Sequence, residues 1–182
     1  MRSVGGFCMY NLLILGAGGH GKVVKEVAES ILDAGGKCLY NRIAFLDDNS
    51  PDAIGRIADA DQYTAQFDCA FVGVGNNAVR EQLQSALEKL GYQIPVLIHA
   101  CAYISKTAAI ESGTIVEPKA IVNASAAVGR GCIISVGAIV DHDSRIGAFC
   151  HVNAGAICKA GSEIPNGTKL EAGQVVMGYG QK

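Results

Sequence analysis

The sequence predicts a chain of two dissimilar parts. Residues 9–95 read as a small α/β unit with a Rossmann-like parallel sheet, and residues 96–182 as a left-handed parallel β-helix of hexapeptide repeats. Three observations predict this. The first half alternates short apolar runs with helical patterns, the grammar of a parallel sheet with helices on its faces. A glycine-rich turn, Gly16-Ala17-Gly18-Gly19-His20-Gly21, joins the first run to the first helix. From Ile98 onward an apolar residue recurs at every sixth position, a period that neither helix nor ordinary strand explains.

The opening segment, MRSVGGFCMY, reads as a loose extension with Met9 as a natural alternative start. Tyr10 to Leu15 is an apolar run that ends in Gly16, a buried strand. Val23, Val24, Val27, Ala28, Ile31 and Leu32 follow at helical spacing until Gly35-Gly36. Arg42 to Leu46 and Cys69 to Val74 read as second and third strands. Asn76 or Asn77 caps a second helix carrying Val79, Leu83, Ala86, Leu87 and Leu90, which Gly91 ends.

The six-residue period then runs through Ile98, Ile104, Ile110, Val116, Val122, Val128, Ile134, Val140, Ile146, Val152, Cys158, Ile164, Leu170 and Val176. Each hexad is one side of a triangular coil. Its apolar residue points inward and stacks on the coil above, and a small residue fits the corner four positions later. Glycines 113, 131, 137, 155, 161, 167 and 173 precede these corners, where the backbone takes positive φ. Such a short solenoid leaves flat faces carrying Ile115, Ile121, Ile133 and Ile139, so a homotrimer is expected.

Composition narrows the function. The 182 residues carry a formal charge of −2, which argues against a nucleic-acid binder held by phosphate contacts. No apolar run approaches the ~20 residues of a spanning helix, so no membrane insertion is expected. Seven cysteines without a CxxC pair read as reduced thiols of a cytoplasmic protein. His20, His99, His142 and His151 lack any metal-ligand spacing, so no metal is expected, and His99 reads as structural at the domain junction.

Two constellations carry chemistry. The glycine turn at Gly16–Gly21, the pair Asp47-Asp48 after Phe45-Leu46, and Gly73-Val74-Gly75-Asn76-Asn77 all lie at strand C-terminal ends, on one edge of a parallel sheet. Backbone N–H groups at such an edge meet phosphate, and carboxylates there accept from a ribose or base. In the solenoid, His142 stands two residues after an inward valine, so its side chain points outward. Asp143 follows as the carboxylate that fixes an imidazole tautomer and raises its basicity. His151 lies nine residues on, on the next side of the coil or near it.

Gly16-Ala17-Gly18-Gly19-His20-Gly21, Phe45-Leu46-Asp47-Asp48, Val74-Gly75-Asn76-Asn77, Leu97-Ile98-His99 and Val140-x-His142-Asp143 occur in an order that resembles one family. That family is the bacterial sugar acyltransferases typified by the UDP-4-amino-sugar N-acetyltransferase of bacillosamine synthesis and by sialic acid O-acetyltransferases. The resemblance covers roughly residues 9–164. It implies a nucleotide-sugar site at Gly18, Gly19, His20, Asp47, Asp48 and Gly75, a catalytic base at His142, and a tuning carboxylate at Asp143. It also implies contacts to acetyl-CoA from His151 and the backbone of Ala160, in a groove between the β-helices of a homotrimer. Relatives typically carry further coils and a GVPAK-like tail, where this chain reads Val176-Met177-Gly178-Tyr179-Gly180-Gln181-Lys182.

The leading expectation is acetyl transfer from acetyl-CoA to an amino group, or less favourably a hydroxyl, of a nucleotide-linked sugar. Transfer is direct, with a backbone amide stabilising the oxyanion. Arg145, Lys159 and Lys169 are the local cations for the coenzyme diphosphate, and weak, salt-dependent binding is expected. Three alternatives stand beside it: a sialic acid or sugar O-acetyltransferase, a dinucleotide oxidoreductase, and a non-catalytic trimer that binds nucleotide sugar.

Overall fold

A computed structural model describes residues 3–4, 7–8 and 10–180 of the chain, with side chains from residue 10 on. The opening segment is not simply loose: β1 (Ser3–Val4) and β2 (Phe7–Cys8) pair antiparallel. Met9 lies outside the described residues. A three-stranded parallel sheet follows, in the order β4 (Tyr40–Leu46), β3 (Tyr10–Leu15), β5 (Cys69–Val72). The crossovers are α1 (Gly19–Glu29) and a segment ending in a 3-10 turn at Ile57–Tyr63. Helix α2 (Asn77–Lys89) follows β5.

Helix α1 stops short of the expected Gly35-Gly36. The Ser30 hydroxyl donates to the Val27 carbonyl at 2.7 Å, competing with further helix. Asp33 then accepts from the backbone N–H of Gly35 and Lys37, which reverses the chain. Ile31 and Leu32 therefore belong to the return, where Leu32 bridges to Cys38. The third strand ends at Val72, two residues early, because Gly73 packs against Gly21: a Cβ there would lie 2.7 Å from the Gly21 Cα. On α2, Asn76 is the cap, accepting from the Val79 N–H at 3.1 Å.

From Leu97 the chain coils. Thirteen two-residue strands build three parallel sheets in the triangular left-handed β-helix, each strand pairing with the one 18 residues away. All fourteen six-residue-spaced apolar positions fall in one interior cluster, from Ile98 to Val176. The corner glycines have φ between 65° and 73°, and Lys119, Ser125, Asp143 and Phe149 take the same left-handed conformation at equivalent positions. Corner hydroxyls stay satisfied: Thr114 donates to the Gly129 carbonyl, and Ser144 to that of Lys159.

The three faces differ. One, with strands at Leu97–Ile98, Ile115–Val116, Ile133–Ile134 and His151–Val152, lies under the α/β unit. Leu97, Ile115 and Ile133 join the core formed by α1 and the sheet. Ile115 and Ile133 are thus covered by the protein's own N-terminal part, and they are not free for a partner as the sequence suggested. A second face presents Tyr103, Ile121, Ile139, Ile157 and Val175 outward as a ladder. The third carries Ala109, Ala127, Arg145 and Glu163.

Candidate functional site

The three strand ends of the α/β unit converge. Gly16 has φ +101, and a Cβ on Gly21 would sit 2.0 Å from the Gly16 carbonyl oxygen, so packing alone requires those two glycines. Gly18, Gly19 and Gly75 have nothing within 4 Å of a hypothetical Cβ, so they border open space at the start of α1 and before α2. Asp47 spans the edge: its Oδ2 accepts from the Ala17 N–H at 2.8 Å and its Oδ1 from Asn49 and Ser50. These bonds, Ala17's foremost, hold its carboxyl below the usual range. Asp48 turns aside, 3.3 Å from the Ile57 N–H and 3.5 Å from Arg56 Nε.

Behind this edge lies a buried polar seam between the two parts. Arg80 is 1% exposed. It donates to carbonyls of Gly131 at 2.7 Å, Val74 and Gly75 at 3.2 Å, and Phe149 and Cys150 at 3.3 Å, and to Asn77 Oδ1 at 2.7 Å. Among the described residues no carboxylate pairs with it, and desolvation lowers its pKa to about 10. His20 lies 3.7 Å from Glu117, and His151 Nε2 is 3.1 Å from the Ser135 hydroxyl. Burial first, then the Arg80 charge, pushes both imidazoles down to about 4, so both are neutral at pH 7. Burial also raises the Glu117 carboxyl, against the Val136 N–H that it accepts. His20 Nε2 and His151 Nδ1 are buried ring nitrogens with no partner among the described residues, donors or acceptors for a ligand. Gly75, Asn76, Asn77, Phe149, His151 and Lys169 line a pocket on this side.

His142 and Asp143 stand elsewhere, at the corner between the second and third faces. Asp143 Oδ2 lies 2.8 Å from His142 Nδ1, and both side chains are half-exposed. That bond raises the His142 pKa and holds the Asp143 carboxyl down. Since a carboxylate only accepts, Nδ1 carries the proton and Nε2 offers its lone pair outward. Asp141 ties the corner together: Oδ1 accepts from the His142 N–H at 2.7 Å and from Asn123 Nδ2 at 3.0 Å. The Ala160 backbone is already engaged, its carbonyl by the Tyr179 N–H at 3.0 Å and its N–H by Asp141. His99 accepts from the Cys101 N–H within its own turn, a local role.

The sequence-derived residues therefore form two groups. Gly18, Gly19, Asp47, Gly75, His20 and His151 lie around the α/β edge and the seam. His142, Asp143 and Ala160 lie at another corner. The two remaining corners of the triangle touch α1, through Ser30 to Ala100, and α2, through Arg80 to Gly131 and Asn77 to Gly167. The His142 corner is the one opposite the covered face, so one chain does not bring the groups together. Sequence reasoning missed Arg80, Glu117, Ser135 and Asp141. Arg80, Gln84 and Leu87 share one buried face of α2 at i, i+4, i+7, a spacing that would have marked Arg80 as buried.

The chain resembles known proteins over both parts. The profile of the PglD N-terminal domain matches residues 11–87. UDP-N-acetylbacillosamine N-acetyltransferase of Bacillus subtilis is 33% identical over 120 residues, 59% of this chain and 51% of that protein. The match thus spans about half the length of that curated relative. The acetyltransferase domain of PglB from Neisseria gonorrhoeae, solved with acetyl coenzyme A, superposes with a TM-score of 0.83 and 34% identity, over 92% of this chain and 82% of that one. A variant of perosamine N-acetyltransferase from Caulobacter crescentus, solved with CoA and GDP-perosamine, superposes with a TM-score of 0.81 and 25% identity, over 94% and 90%. With the glycine turn, the Asp47 edge and the His142-Asp143 corner all in place, the chain belongs to the bacterial nucleotide-sugar acyltransferase family that includes UDP-N-acetylbacillosamine N-acetyltransferase.

Proposed function

We propose that this protein moves an acetyl group from acetyl-CoA to an amino group of a nucleotide-linked sugar, with His142 as the general base. The single observation that carries the reading is the outward His142 imidazole, fixed as the Nδ1–H tautomer by Asp143 on a solenoid corner whose packing needs neither residue. The relatives solved with acetyl coenzyme A, or with CoA and GDP-perosamine, support the substrates. The nucleotide sugar sits at the strand-end edge. Gly18 and Gly19 leave room for its phosphates, Asp47 and Asp48 accept from ribose or base, and His20 and Gly75 line the sugar side.

The neutral amine attacks the thioester carbonyl as His142 Nε2 takes its proton, and a C–N bond forms. The tetrahedral intermediate expels the thiolate, the C–S bond breaks, and the imidazolium returns the proton to sulfur. Asp143 stabilises the imidazolium in between. His151 and the Ala160 backbone lie along the coenzyme arm, and no acyl-enzyme forms. The coenzyme diphosphate falls to Arg145, Lys159 or Lys169.

The working form is a homotrimer in the cytoplasm. The outward ladder of Tyr103, Ile121, Ile139, Ile157 and Val175 supports association, because a contiguous row of partly exposed apolar side chains suits a covering partner. The opposed positions of His142 and the nucleotide-sugar edge support a site shared between copies. Free thiols at Cys38, Cys69, Cys101, Cys132, Cys150 and Cys158 suit a reducing compartment.

The test is thiol release from acetyl-CoA against a panel of UDP-, dTDP- and GDP-linked amino sugars and their hydroxy counterparts. Release with an amino sugar is expected. Release only with hydroxy sugars moves the reading to O-acetylation. Nucleotide-sugar binding without release with any acceptor moves it to a non-catalytic trimer.

A further inference from the structure

The pocket beside the strand-end edge, about 550 Å³ in volume, has walls from both parts of the chain. Gly75, Asn76 and Asn77 come from the α/β unit, and Phe149, His151 and Lys169 from the solenoid. Two side chains join these walls. Arg80 Nη1 donates to the Val74 and Gly75 carbonyls, each at 3.2 Å, on the first wall. Its Nη2 donates to the Phe149 and Cys150 carbonyls, each at 3.3 Å, on the second. The Cys150 carbonyl belongs to the peptide that leads into His151. Nε anchors the fork on the Gly131 carbonyl at 2.7 Å. Asn77 carries the brace one coil further. Its Oδ1 accepts from Arg80 Nη2 at 2.7 Å, and its Nδ2 donates to the Gly167 carbonyl at 2.9 Å. Gly167 follows Phe149 by 18 residues, at the same corner of the next coil.

We infer that Arg80 and Asn77 are positioning residues that fix the spacing of the two walls, and with it the acceptor edge at Gly75 relative to His151. The inference deepens the proposed function and rests on it for its kinetic consequence, since Gly75 lines the sugar side and His151 the coenzyme arm. Docking α2 on the solenoid does not by itself call for these groups. Arg80 is 1% exposed, and burying a guanidinium costs desolvation that an apolar side chain of the same length avoids. A second polar tie shows the contrast. Glu88 meets Arg130 at 3.1 Å, eleven residues on from Asn77 and about 16 Å along the helix axis. It grips one side chain and no pocket backbone. The acceptors of Arg80 are carbonyls on either side of the pocket, which a planar fork meets together and a single ammonium does not. His151 is thereby held twice: its backbone through Cys150, and its ring by the Ser135 hydroxyl at 3.1 Å from Nε2.

The test uses Asn77→Ala, a half-buried position in the first turn of α2 where truncation leaves the helix intact. Arg80→Lys is the companion variant, assayed below its melting temperature, and Glu88→Gln is the control. With the amino sugar that the wild type accepts, Asn77→Ala should lower kcat about ten- to a hundredfold with both KM values within about threefold, because a displaced wall misaligns amine and thioester. Arg80→Lys should lose at least as much. Glu88→Gln also loosens α2, yet its kcat should stay within about twofold of wild type. A wild-type kcat in Asn77→Ala, or an equal fall in Glu88→Gln, overturns the inference. A second readout needs no substrate. Amide hydrogen exchange by mass spectrometry should quicken in Asn77→Ala at both walls, residues 73–77 and 148–151. Quickening at one wall alone, or at neither, also overturns the inference. If both walls loosen but the wild type transfers no acetyl group, the positioning of the walls stands and the proposed function fails.

Discussion

Asp143 Oδ2 sits 2.8 Å from Nδ1 of its chain neighbour His142, and it does so from a left-handed backbone conformation, φ +59°. Corner positions of this solenoid demand positive φ, and most are glycine. A non-glycine residue there costs on the order of 1 kcal/mol or more, and asparagine and aspartate tolerate it best. The carboxylate occupies a strained position where the scaffold alone would favour glycine. Asp143→Asn keeps the backbone preference and removes the charge. It should lower kcat by about tenfold or more while thermal stability is retained, which kinetics and a melting curve will show.

The pH profile follows from the same bond. Asp143 raises the His142 pKa, and a general base works only when neutral. The acid limb of kcat/KM should therefore lie above pH 6.5, with activity rising through it. In Asp143→Asn that limb should move to lower pH, a shift that a buffer series from pH 5 to 9 will reveal.

His20 and His151 behave oppositely. Both are near pKa 4 when folded and near 6.5 when unfolded. The unfolded chain therefore binds more protons between those values, and stability falls as pH drops from about 6.5 to about 4. Glu117, with its raised pKa, offsets part of that loss. Melting temperature measured across this window should decline, and His151→Gln should flatten the decline.

Arg80 ties α2 to the solenoid through the backbone carbonyls of Gly131, Phe149 and Cys150, the last of which also accepts from the Ile133 N–H. Arg80→Met fills the space but takes the buried donor away from the Gly131 and Phe149 oxygens, at a cost on the order of 3 kcal/mol or more. Arg80→Lys should fare little better, since one ammonium does not reproduce the planar fork. Denaturant unfolding of the two variants against wild type measures this.

Association is separately testable. Ile139→Arg, in the outward apolar ladder, should convert a trimer by light scattering into monomer without unfolding it. Co-expressing His142→Ala with Gly75→Trp should give mixed assemblies more active than either parent, because intact halves of the site then meet across copies. No recovery would mean that each chain completes its own site.

The solenoid was legible because its code is local. Each of the fourteen apolar positions and each corner glycine is dictated by one coil geometry, and repetition makes the pattern unmistakable. The α/β strands were legible for a related reason, since buried parallel strands read as apolar runs. What failed depended on contacts between distant segments. The end of α1 hinges on the Ser30 hydroxyl and the Asp33 turn, both of which outweigh the apolar spacing of Ile31 and Leu32. Ile115 and Ile133 looked identical to Ile121 and Ile139, and only the docking of the α/β unit on one face distinguishes them. Of the site, motif residues stood out because packing does not call for them. Arg80, Glu117 and Ser135 meet partners 16 to 97 residues away, a distance over which sequence spacing carries no signal.

The central claim is that His142 takes the proton from the acceptor amine. It is tested most directly by the rate of CoA thiol release in His142→Ala, with the amino sugar that the wild type accepts. The exposed imidazole leaves no core cavity when removed, so the fold should survive, and circular dichroism will show it. The account predicts a fall in kcat of about 10²–10⁴-fold with little change in either KM. A His142→Ala enzyme that turns over within about twofold of wild type would contradict it.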